Sequence, residues 1–292
     1  MYPVGEKILV NHLEHQIGGG GTNTAVSFSR LGLRTGYVGV IGKDDEGLKV
    51  FRLLKKENVH FLGVLGKVTG LSVVLDSLHD DRTILTYKGC NDSLRFKDIV
   101  KANLKTKWFY FSSMVGESFD ALNDLALFAE SARIKVVFNP SSYLVKKGAA
   151  YLNNILSRCH CLILNKDEAR VLSGKKDIKS ILKFLKTHVK DLVVVTDGKN
   201  GAWCYDGDLV LQSKSSNKLK IVETTGAGDA FASGFTSGLV LGKNLKAAFK
   251  MGFIQAESVI QSYGAKNKLL NYDELVKLLN KDNRKIVEYK LR

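Results

Sequence analysis

The sequence predicts an α/β fold, a parallel sheet covered by helices on both faces. Three observations carry this. From about residue 105, short β-rich apolar runs alternate with stretches of helical period. The runs are nearly continuous in apolar residues, as strands buried on both faces are. The chain has 292 residues, 45% hydrophobic and 9% aromatic, with two prolines and no low-complexity linker. That suits one principal domain spanning 1–292, with a sizeable core.

In chain order, residues 6–17 (EKILVNHLEHQI) read as extended, 22–31 as a helix, 36–41 (GYVGVI) as a strand and 44–56 as a helix. Residues 71–88 read as a hairpin around a polar His79-Asp80-Asp81 turn. Together with 6–17 it predicts a small sheet outside the main one, a lid over a site. Strands at 107–113, 135–140, 160–165 and 191–197 then alternate with helices at 117–132, 144–157, 167–172 and 177–189. A second hairpin, 201–212, turns at Asp206-Gly207, and 226–241, 244–262 and 272–280 are helical in period. In sheets of this kind ligands sit beyond the carboxyl ends of the strands, and the chemistry-bearing stretches all fall there.

Composition excludes several classes. No run of about 18 apolar residues reads as a membrane-spanning helix, and the charged start lacks the apolar stretch of a signal peptide; a cytoplasmic protein is expected. Cys159 and Cys161 have strand spacing, which predicts thiols on one side. His160 between them makes a metal site conceivable, but no second ligand pair with zinc spacing appears; reduced thiols in or near the core are expected. The net charge is +15, from 44 basic and 29 acidic residues. The lysines are scattered over many segments without an arginine-rich tail or aromatic platform, so they read as solvated helix faces that attract anionic ligands, not as a nucleic-acid surface.

Four stretches carry candidate chemistry. In ETTGAGDAFASGF (223–235) a glycine-rich loop enters a helix. The first helical turn has unpaired amides and partial positive charge, so small residues there let amides converge on an anion. Asp229 would repel that anion, yet it fits a base taking a proton from an attacking hydroxyl while the amides stabilise a phosphoryl group. An aspartate that merely complements the helix dipole fits equally well. In IGGGGTNTAVSFSRLG (17–32), glycines let a polar ligand lie on the backbone, and Asn23 offers donor and acceptor; a glycine hinge with an Asn cap is the alternative. No Gly-Lys-Ser/Thr follows, so it is not a Walker A loop. In LILNKDEA (162–169), Glu168 could hold Mg²⁺ through water, although Asn165 and Glu168 also make a capping box, the reading the local pattern favours. In VVVTDGKNGAWCY (193–205), Thr196 and nearby amides could meet nucleotide phosphates, or the stretch is simply a turn.

In this order the four stretches resemble the PfkB-type carbohydrate kinase group, the ribokinase-like family. GGGGTNTAVSFSRLGLRTGYVGVIG is similar to its N-terminal signature, and ETTGAGDAF to its C-terminal one, apart from Glu223 where the family usually has Asp. The likeness runs from about residue 3 to 280 and includes TGLSV, NPS, LNKDEA and TDGKNGA. It implies a three-layer α/β sandwich with a β lid, and ATP- and Mg²⁺-dependent phosphorylation of an alcohol group on a sugar or nucleoside. Asp229 would be the catalytic base, with Gly226, Ala227 and Gly228 as anion hole. Gly20, Gly21 and Asn23 would touch substrate. Asn165 and Glu168 would organise Mg²⁺ and phosphates, and Thr196, Gly198 and Gly201 would lie near the nucleotide. K⁺ activation, known in some members, would act near Glu223 and Thr225, and lid strands often pair two subunits. The family's first strand, with an aspartate for substrate hydroxyls, has no counterpart before YPVGEK, which leaves a non-catalytic binding relative as the alternative to an active kinase.

Overall fold

Val136, Phe138, Leu162, Leu164, Val193 and Val195 belong to one apolar cluster, and Val137, Cys161, Ile163 and Val194 to another. Adjacent residues of one strand point to opposite faces, so the central strands are buried on both sides, as the unbroken apolar runs require. The computed structural model describes residues 5, 7, 9–10, 13–76, 82–216 and 219–291.

Among these, the chain begins with α1 (Gly20–Arg30), β1 (Thr35–Tyr37), β2 (Val40–Gly42), α2 (Asp45–Lys56), β3 (Val59–Phe61) and β4 (Val64–Gly66). The hairpin β5 (Leu71–Asp76) and β6 (Arg82–Tyr87) follows. Then come β7 (Trp108–Phe111), α3 (Glu117–Ser131), β8 (Lys135–Phe138), α4 (Ser142–Val145), α5 (Ala149–Leu156), β9 (Cys161–Asn165), α6 (Lys166–Ser173) and α7 (Ile178–Lys186). The rest is β10 (Leu192–Thr196), β11 (Ala202–Tyr205), β12 (Leu209–Ser213), α8 (Ala227–Val240), α9 (Leu245–Val259), α10 (Tyr272–Lys281) and β13 (Val287–Lys290).

The main sheet has the order β13-β12-β11-β10-β9-β8-β7. Strands β7 to β10 are parallel, and β11, β12 and β13 add an antiparallel wing. Helices α3, α5, α6 and α7 cover one face. Helices α8 and α9 cover the other, where Phe231 meets Phe253 edge-on at 5.3 Å. Those two helices approach closely: a Cβ on Gly234 would stand 2.6 Å from the Met251 carbonyl oxygen. Helix α1 joins the same layer, since buried Ser233 donates to Ser27 Oγ at 2.7 Å.

Several expectations change. The helix expected over 144–157 is two, because Gly148 takes φ 87° between them. The strand expected at 36–41 is β1 and β2, each pairing in parallel with its own partner, β3 and β4. Strand β13 carried no sequence signal strong enough to predict it. Cys159 and Cys161 lie in different clusters, on opposite sides of the sheet, because the strand starts only at Cys161. The hairpin forms as expected, in register Leu71↔Tyr87 to Asp76↔Arg82; its His79-Asp80-Asp81 turn lies outside the described residues. The described part of 6–17 is in no strand, and among the described residues the hairpin sheet consists of β5 and β6. Among the described residues the far edge of β7 pairs with no strand. A cavity runs along it, with 108–111 on one wall and 35–41 on the other.

Candidate active site

Because α1 and α8 pack side by side, their N-terminal turns meet. There Asn23 Nδ2 donates to Asp229 Oδ2 at 2.7 Å. The glycines of the entering loop make this approach possible: a Cβ on Gly20 would stand 2.8 Å from Ser112 Oγ and 3.2 Å from Asp229 Oδ1. Ser112 follows β7, so three separate chain segments converge on the carboxylate.

Asp229 opens onto the cavity but is otherwise enclosed. Burial raises its carboxyl above the usual range, against the opposing pull of the Asn23 hydrogen bond and of Lys266. Lys266, 9% exposed, donates to Asn23 Oδ1 and to the carbonyl of Ile17. Burial holds its ammonium down to about 8. Tyr110 is raised well above its ordinary value, mainly by burial and also by Asp229. Its hydroxyl donates to Asn139 Oδ1 at 3.0 Å, and Asn139 in turn donates to the Ile163 carbonyl at 2.7 Å.

Gly226 enters α8 with φ 79°, a conformation that costs glycine little. Ala227 N bonds the Thr224 carbonyl at 3.2 Å, and Ala230 N bonds the Gly226 carbonyl at 2.8 Å. The first-turn amides of Gly228 and Asp229 are therefore the ones placed to receive an anion. A Cβ on Gly228 would meet nothing within 4 Å, so the space above that turn is open. Glu223 Oε2 accepts from Gly264 N at 2.8 Å and braces this loop against the one after α9.

Asn165 and Glu168 form the reciprocal cap of α6: Glu168 N donates to Asn165 Oδ1 at 2.8 Å, and Asn165 N to Glu168 Oε2 at 3.0 Å. Burial raises the Glu168 carboxyl. Thr196 Oγ1 reaches the Leu164 carbonyl at 3.4 Å, and Lys166 pairs with Asp197 at 2.6 Å, joining the ends of β9 and β10.

Gly20, Gly21, Asn23, Asn165, Glu168, Thr196, Gly228 and Asp229 all line the same cavity, of ≈ 2890 Å³ including the gap beside β7. Gly226 and Ala227 do not line it; Gly226 packs against Ala265. Gly198 and Gly201 are not on its wall: they shape the turn from β10 to β11, where Gly201, at φ 97°, packs against the Ser213 carbonyl. Sequence reasoning missed Lys266, Ser112, Tyr110 and Asn139. Asn139 stands in the quoted NPS segment; Lys266 looks like any of the chain's many lysines until the fold buries it.

A family model described as pfkB family carbohydrate kinase matches residues 2–271. The chain belongs to this family. It is an ATP-dependent carbohydrate kinase, a phosphotransferase. The kinase is 28% identical, over 84% of its length and 98% of the relative's, to a protein of Archaeoglobus fulgidus named an uncharacterized sugar kinase. It is 28% identical, over 85% of its length and 88% of the relative's, to a cytidine kinase of Thermococcus kodakarensis. Among solved structures it is similar to Arabidopsis thaliana ribokinase complexed with ribose and ATP, at TM-score 0.82 and 23% identity over 94% of this chain and 91% of that one. This last likeness speaks to the fold: a ribokinase-like α/β sandwich.

Proposed function

We propose that this kinase moves the γ-phosphoryl group of ATP to a hydroxyl of a sugar, with Asp229 as the base that receives the hydroxyl proton. The observation that carries the reading is the Asn23–Asp229 contact at 2.7 Å, on the floor of a cavity that also reaches Asn165 and Thr196 at the ends of β9 and β10. One carboxylate stands beside open helix-terminal amides, the arrangement phosphoryl transfer to an alcohol uses: a base for the attacking oxygen and fixed dipoles for the charge on the transferred group. Gly20, Gly21 and Asn23 bound the acceptor, and Thr196 and Asn165 face the nucleotide. As Asp229 takes the proton, the amides of Gly228 and Asp229 face the phosphoryl oxygens.

Among the described residues no three His, Cys, Asp or Glu side chains are grouped to hold a metal ion. Mg²⁺ would be held by nucleotide phosphates and water, with Glu168 as the nearby carboxylate; when bound, the ion neutralises phosphate charge. K⁺ would act on the loop at Glu223 and Thr225, and assays with and without K⁺ test that. The exposed apolar residues of β5 and β6, Leu85 at 56% and Tyr87 at 62% among them, support the hairpin as a lid and as the contact of a homodimer, which light scattering of the intact chain checks.

The test is a phosphoryl-transfer assay with ATP–Mg²⁺ on sugars and nucleosides, run on wild type and Asp229→Asn. The reading requires turnover roughly 10²–10⁴-fold lower in the variant; equal turnover removes Asp229 from the mechanism. The second acceptor class, nucleosides, is favoured by the cytidine kinase relative and is decided by the same panel. ATP binding without transfer to any acceptor would instead identify a non-catalytic binding relative.

A further inference from the structure

We infer that Lys266 is a positioning residue of this site: its ammonium selects which end of the Asn23 amide faces Asp229 and thereby orients the carboxylate. The inference rests on the reading of Asp229 as base.

An ammonium only donates hydrogen bonds, whereas an amide has an accepting end and a donating end. Lys266 Nζ donates to Asn23 Oδ1, so the nitrogen end of that amide is turned to Asp229, where Nδ2 meets Oδ2 at 2.7 Å. The flipped amide would set N–H against ammonium and oxygen against carboxylate, losing both bonds in a buried place, where unmade bonds are costly. Lys266 Nζ also holds the carbonyl of Ile17, just ahead of the glycine loop. One ammonium thus ties together the approach to α1, its first turn and, through Asn23, the first turn of α8.

A purely structural residue in a 9% exposed position would be better served by an apolar chain of the same volume, since burying a charge costs free energy. The backbone of Lys266 is held independently: its carbonyl accepts from Arg30 Nη1 at 3.0 Å and from Leu269 N at 3.2 Å. The charged groups facing the ammonium are Asp229 on α8, Arg30 on α1 and Glu57 just after α2. Arg30 and Glu57 are paired with each other at 2.7 Å, which leaves Asp229 as the charge that Lys266 offsets.

The experiment is a double-mutant cycle on the intact chain with Lys266→Met, Asn23→Ala and the pair. Transfer from ATP–Mg²⁺ is measured to whichever of D-ribose, D-fructose or adenosine reacts fastest. Each single change is expected to lower kcat about tenfold or more, and the pair no further than the worse single, since coupled residues are not additive. KM for ATP stays unchanged. Lys266→Arg restores part of the rate, and wild-type activity is expected to fall at alkaline pH as Lys266 loses its proton, a fall that should be absent in Lys266→Met. Additive losses, or wild-type kcat and pH profile in Lys266→Met, overturn the inference. If Lys266→Met does not fold, judged by circular dichroism, the same cycle is run with Lys266→Gln.

A ligand-free measurement separates this from the fate of the base reading. The Asn23 side-chain amide protons are followed by ¹⁵N NMR in wild type and Lys266→Met. A change there, with Asp229→Asn still fully active, would keep the orientation and discard the base; no change, with Asp229→Asn inactive, would do the reverse.

Discussion

Asn23 and Asp229, 206 positions apart in the chain, share a hydrogen bond of 2.7 Å in which the amide donates to the carboxylate. Each is on the first turn of its own helix, and the packing of α1 on α8 brings the turns together. An acid placed there feels enclosure, which favours its neutral form, and a hydrogen bond and a lysine, which favour its charged form. Enclosure is the largest of these, so the carboxyl is raised.

The sign of that shift gives a stability prediction. A carboxyl raised in the folded state contributes stability below its unfolded value, about 3.9, and loses it as pH rises through the folded value. Near pH 7 the ionised carboxylate is therefore a cost, and Asp229→Asn is expected to melt no lower than wild type there, with any gain fading toward pH 4. Melting curves at the two pH values check this. A markedly lower Tm at pH 7 would mean that pairing with Asn23 and Lys266 outweighs burial.

Gly20→Ala tests the closeness of the site. Its new methyl would crowd Ser112 Oγ and Asp229 Oδ1, at 2.8 and 3.2 Å. A displacement of that size at a reacting group costs on the order of 10²-fold in turnover. ATP affinity, measured by titration calorimetry, should hold. Wild-type turnover would show that the loop relaxes without moving the carboxylate.

Glu168→Gln separates capping from metal binding. Glutamine can still accept from the N-cap amide, so the α6 cap and the Tm should survive. If the carboxylate steadies hydrated Mg²⁺, the Mg²⁺ needed for half-maximal rate rises roughly 10–100-fold. An unchanged Mg²⁺ dependence would leave Glu168 as a cap alone.

Gly234→Val probes the layer that carries Asp229. Its side chain would meet the Met251 carbonyl, with a first contact at 2.6 Å. Overpacking of this kind costs about 1–3 kcal/mol, read as a fall in Tm by denaturation. An unshifted Tm would mean that α8 and α9 separate freely.

Local pattern by itself determined a good deal. Apolar runs such as 192–196 and helix periods such as 117–131 are readable because burial on two faces, or on one stripe, leaves its own periodicity. The carboxylate loop was legible as a glycine-rich helix entrance, but its local pattern left base and dipole partner equally open for Asp229. The likeness of ETTGAGDAF to the family signature is what pointed to the base. Where neighbours decide, reading fails: the thiols of Cys159 and Cys161 separate because the strand begins between them, and the described residues of 6–17 lie in no strand. Gly201 reads as a hairpin residue, and the fold shows what holds it there: at φ 97° it packs against the Ser213 carbonyl. Lys266 is the clearest case. Its charge is plain in the sequence, but its partners Asn23, Ile17 and Asp229 are remote along the chain, and only the folded packing of α1, α8 and the loop after α9 removes it from water and gives that charge a task.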